Sequence, residues 1–380
     1  MKYKILAGSL TAHPNNYGTH LDNYIKNKQQ IAKNICEGLI LHDQIYIPIQ
    51  DYFTACGLVS IIGENNTISL LESNQIRFLR SRHQLVFLKA RHLPKDIGLS
   101  SSKEPHPRSS PNDESIAFSL NELETRMLLK NRKLLERLLI QQTDSVDIND
   151  CLKEIKQNTF KTFRHTSIAS KPINDFLGEL PTGHVQATTL GNDPLDINNP
   201  IKVIIGLATI YYETHLLNKY NCSSSSSTVD LNNLTGLTAP CVPNKSENLW
   251  AITELHKIPD LGEVILADDG YCQNVIKITR SSNAVQFREW FHDNKNLTTK
   301  EIQQEFVGLI DKEPWFKSSA GSIICWGTAA VAGVFYGPLA GIPLGLANKL
   351  LGMVKGQSPK YFISDLQKLQ RIRKDKTRIK

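Results

Sequence analysis

The segment 76–95, IRFLRSRHQLVFLKARHLPK, carries Arg77, Arg80, Arg82, Lys89, Arg91 and Lys95 and no acidic residue. Guanidinium groups at this density suit phosphate: each presents a planar fork of N–H donors and stays charged. At strand spacing Arg80 and Arg82 share one face, as do Lys89 and Arg91, while Phe78 and Phe87 offer rings for stacking on a base. Arg77, Arg80, Arg82, Lys89 and Arg91 are therefore the expected contacts to a phosphate-bearing ligand, displayed on a hairpin. A solvated sheet edge protected from aggregation by its cations fits the same residues.

Catalytic signatures do not accompany this basic segment. The chain has no G-x-x-x-x-G-K-[ST], G-x-S-x-G, H-E-x-x-H or EF-hand loop. Its 11 histidines form no pair at metal-ligand spacing, and its seven cysteines form no C-x-x-C pair. Asp144, Asp147 and Asp150 recur every three residues; they can flank a helix that begins near Cys151, or gather a divalent cation. The expectation is a protein without catalytic residues, bound metal or cofactor, with reduced cytosolic thiols.

A second chemical feature lies near the C-terminus. Residues 318–348 contain no charge, and Gly333, Gly337, Gly341 and Gly345 fall four apart within them. Glycine weakens a helix by about 0.5–1 kcal/mol relative to alanine. In a bilayer, small residues at that spacing let helices approach closely, because association there depends on backbone packing. Gly337-Pro338 supplies a turn, and the arms 318–336 and 339–354 would reach roughly 28 and 24 Å, against a hydrocarbon core of about 30 Å. Trp315, Trp326, Tyr336 and Lys349 are placed to sit at the membrane interface. A Gly/Ala-rich hairpin buried inside a soluble oligomer is the competing reading.

Charge is distributed unevenly. The net charge is +7, yet residues 349–380 alone carry a net +8. A basic tail beside an apolar hairpin suits anionic headgroups or nucleic acid. A single span would place that tail across the membrane from the body, against the positive-inside tendency, whereas a hairpin keeps both ends inside.

The elements that must position these residues alternate in type. YKILAG (3–8), QIYIPI (44–49), IRFLR (76–80) and LVFLKA (85–90) read as strands, with a helix over 21–41 between the first two. Ser119 and Glu122 suggest a capping box opening a long helix, 201–220 reads as a buried helix, and Asp269-Gly270 as the turn of a hairpin over 263–278. A helix follows from Ser281 or Ser282. The layout is an α+β or α/β cytosolic body with a C-terminal Gly-rich helical transmembrane hairpin. Its expected parts are an α/β domain (1–98), a Ser/Pro-rich linker (99–115) and a mixed α/β sensor or oligomerisation region (116–316). A glycine-zipper membrane hairpin (317–356) and a basic tail (357–380) complete it. The N-terminal apolar run is too short for a signal-peptide core.

A body without an enzyme motif followed by a short membrane hairpin resembles the channel effectors of Hailong-type bacterial anti-phage systems. The resemblance implies a homo-oligomeric, ligand-gated pore in the bacterial inner membrane, most of the chain being cytoplasmic. It also implies control by a nucleotide or oligonucleotide, such as an oligodeoxyadenylate made by a partner nucleotidyltransferase, with abortive infection through depolarisation. The α/β order of the first region also resembles PIN-like nuclease domains in outline, although YKILAG carries no acid. The alternative is therefore a soluble or peripheral nucleic-acid-acting protein, a degenerate PIN-like nuclease. A peripheral scaffold on anionic lipid is a third.

Overall fold

The computed structural model describes residues 2–7, 20–49, 52–81, 85–88, 98–101, 114–149, 185–188, 212–224, 249, 252–254, 256, 258, 260–267, 269–294, 297–311 and 361–369. Two compact units divide the chain, Met1–Asn244 and Lys245–Lys380.

In the first unit the described strands are β1 (Lys4–Leu6), β2 (Gln44–Ile49), β3 (Ile76–Ser81), β4 (Leu85–Leu88), β5 (Gly98–Ser101), β6 (Thr143–Val146), β7 (Val185–Thr188) and β8 (Ser223–Ser224). Five of them form one sheet in the order β6-β3-β2-β1-β8, and every pairing in it is parallel. Parallel sheets are covered on both faces, so their strands read as nearly continuous apolar runs. QIYIPI in β2 is such a run, with all but Pro48 buried. Pro48 lies beyond the last β1 partner, the pair Leu6–Tyr46, so its missing N–H removes no described ladder bond.

Helices α1 (His20–Lys26), α2 (Lys28–Leu41), α3 (Phe53–Ile62), α4 (Glu64–Glu72), α5 (Glu114–Glu124) and α6 (Arg132–Gln141) pack on one another. Their fit is close. The Tyr24 ring of α1 sits against Gly57 of α3, where an added Cβ would overlap it. The Tyr24 hydroxyl shares a 2.6 Å hydrogen bond with Thr54. A further helix, α7 (212–220), precedes β8.

The second unit is helical where it is described. It contains α8 (Leu261–Ala267), α9 (Asp269–Thr279), α10 (Ser282–Asp293), α11 (Thr299–Asp311) and α12 (361–369). Phe287 is its centre, with ring centroids 4.9 Å from Phe362, 5.9 Å from Trp290 and 6.5 Å from Phe306. Asn283 donates to Asp365 at 3.0 Å and ties α10 to α12.

The structure corrects several expectations. The C-terminal Gly-rich transmembrane hairpin is one: among the described residues no helix is long and apolar enough to cross a membrane. The longest of them, α2, has 14 residues, about 21 Å at 1.5 Å per residue against a core of about 30 Å. Gly333, Gly337, Gly341, Gly345, Trp315, Trp326, Tyr336 and Lys349 lie outside the described residues. What remains is a small parallel sheet among mostly helical elements.

Strands β3 and β4 do not form a hairpin. β3 lies between β2 and β6, whereas β4 pairs antiparallel with β5 and β7 in a separate sheet. The long helix expected from Ser119 is two helices. Ser119 sits inside α5, and Glu64 holds the segment that enters α6 by accepting from the N–H groups of Lys130 (3.0 Å) and Asn131 (2.7 Å). The expected hairpin over 263–278 is α8 and α9. Asp260 accepts from the N–H of Gly262 at 2.8 Å and opens α8, and the buried Val264, Ile265, Tyr271, Cys272, Val275 and Ile276 keep helical spacing. The Asp144 triplet is not a helix flank at its first position, since Asp144 lies in β6.

Candidate ligand site at the carboxyl edge of the parallel sheet

The chain lays down β1, β2, β3 and β6 in one direction across the sheet, then returns to the other side of β1 with β8. Such a reversal places successive crossovers on opposite faces and leaves a crevice outside the carboxyl ends of the strands. Two contacts establish the opposite faces. Gly38 of α2 lies against Ile45, where an added Cβ would come within 2.7 Å of Cδ1. Tyr220, the last residue of α7, stacks on Tyr46 with ring centroids 5.1 Å apart. Ile45 and Tyr46 are consecutive in β2 and point to opposite faces. So α2 and α7 cover the two sides.

The direction of α7 follows from its connection. Only residues 221–222 separate it from β8, which runs parallel to β1, so α7 runs antiparallel to the strands. Its last residue, Tyr220, lies beside Lys4 and Tyr46. Glu213 is seven positions before Tyr220, which returns it to the same stripe of the helix, the one that meets the sheet. It is buried. Burial alone raises it to about 7.

Arg80 occupies the carboxyl edge of the sheet on the opposite face. It is the penultimate residue of β3, paired in register with Ile49 and Ser145. Its guanidinium is buried and lies 4.7 Å over the ring of Tyr52, which follows the carboxyl end of β2.

Nearer the amino ends, the α7 face of the sheet carries a polar group. Arg77 forms an ion pair with Asp144 at 2.5 Å and donates to Asn74 at 3.2 Å. Lys4 donates to the Tyr220 carbonyl at 3.4 Å and lies 5.8 Å over the Tyr46 ring. Burial, reinforced by Cys222, raises the Tyr46 hydroxyl. Burial also pushes the Cys222 thiol up to about 12, with Lys4 opposing, so it stays protonated and weakly nucleophilic.

Of the residues read as phosphate contacts, the structure describes the side chains of Arg77 and Arg80 and places them on opposite faces. Arg82, Lys89 and Arg91 lie outside the described residues. Phe78, expected to stack on a base, is fully buried. No group of three His, Cys, Asp or Glu side chains that could hold a metal occurs among the described residues. Sequence reasoning passed over Tyr52 and Glu213. Glu213 did carry a signal: it is the lone acid in the apolar run 201–220. No protein-family model, curated protein or solved structure matches the chain, so the site rests on its own geometry.

Proposed function

We propose that the first unit is a sensing module that binds a nucleotide or short oligonucleotide at the carboxyl edge of its parallel sheet, without transforming it. The reversal of strand order at β1 carries this reading, because open parallel sheets hold their ligands at that point. Arg80 supports it by bringing a buried cation to the edge, and the acid-free segment 76–95 supports it by concentrating cations in the chain that leads from β3.

Calorimetric titration of the full chain with ATP, CTP, GTP, UTP and a short oligodeoxyadenylate tests this. Saturable binding that weakens with added salt is expected, since phosphate contacts release counterions. Hydrogen exchange should slow in peptides covering 44–52, 76–81 and 212–224. Absence of saturable binding, or protection confined to 245–380, overturns the proposal.

A further inference from the structure

We draw no further inference here: the strongest candidate, the exposed face of α6 that carries Lys133, Arg137 and Ile140, rests on surface charge and one apolar side chain, and nothing in the structure shows what covers it.

Discussion

Glu64 and Glu213 are each 8% exposed, yet their carboxyl groups meet different surroundings. Glu64 opens α4 and spends both oxygens on the N–H groups of Lys130 and Asn131, just before α6, at 3.0 and 2.7 Å. Burial raises the Glu213 carboxyl to about 7, so its acid form is the one the fold accepts. The first arrangement stabilises the fold through hydrogen bonds; the second disfavours it once the carboxyl ionises. Glu64→Gln should therefore destabilise the first unit by about 1–2 kcal/mol, because an amide NH₂ would face a backbone N–H and leave it unsatisfied. Urea unfolding of this variant beside Glu72→Gln, at an exposed position of the same helix, checks the effect. Equal midpoints would show that the Glu64 bonds to Lys130 and Asn131 are energetically silent. The sequence marks neither residue by motif. Glu64 holds the entry to a helix, bonding Lys130 66 residues away, a relation that no local pattern reveals, whereas Glu213 stands out through its apolar neighbours.

At the scale of elements, reading from the sequence succeeded where one periodicity had no competitor. The strands read at 3–8, 44–49 and 76–80 stand at 4–6, 44–49 and 76–81, and Ser281 caps α10 by accepting from the Ala284 N–H at 3.2 Å, as its position suggested. It failed where composition and spacing disagreed. EVILADDGYCQNVIKI holds β-formers around Asp-Gly, but its apolar residues recur at three and four, and burial of that stripe overrides propensity. Thr298 and Glu301 form a reciprocal capping box on α11, with the Glu301 carboxylate accepting from the Thr298 N–H at 2.7 Å; the T-x-x-E signal was present and went unread. The pairing of β3 with β6 rather than β4 was not legible, because partner choice in a parallel sheet is settled by crossovers far apart in the chain. Close packing of α1 on α3 likewise depends on a residue with no side chain. Gly57→Ala should destabilise the first unit by about 1–3 kcal/mol, since the new methyl meets the Tyr24 ring and the Tyr24–Thr54 bond must shift with it. Thermal unfolding of Gly57→Ala against Gly57→Ala/Tyr24→Leu separates the causes: partial recovery in the double variant is expected, and an undiminished midpoint in the single one would refute the clash.

At the scale of the whole molecule, the two units hold buried titratable groups of opposite kind, so acid should act on them in opposite directions. Glu213, raised from 4.5 to about 7, is favourable to folding in its acid form; the stability it contributes is complete below its unfolded value and lost as pH rises through 7. His256 packs edge-on against Phe306 at 5.1 Å, its Nε2 has no hydrogen-bond partner, and burial lowers it from 6.5 to about 4. Its neutral form is the one the fold accepts, so stability is complete above 6.5 and lost as pH falls toward 4. Between pH 8 and pH 5 the first unit should gain about 2 kcal/mol from Glu213 and the second should lose about 2 kcal/mol through His256. Hydrogen exchange, corrected for intrinsic rates, reads this within one sample: opening free energies of peptides at 44–49 and 76–81 should rise on acidification, and those at 287–291 and 302–306 should fall. Glu213→Gln should flatten only the first response. His256→Asn, which cannot be charged, should flatten only the second. A parallel shift of all four peptides in the wild type would mean that these two groups do not govern the pH response, and that the charge balance of the chain as a whole does.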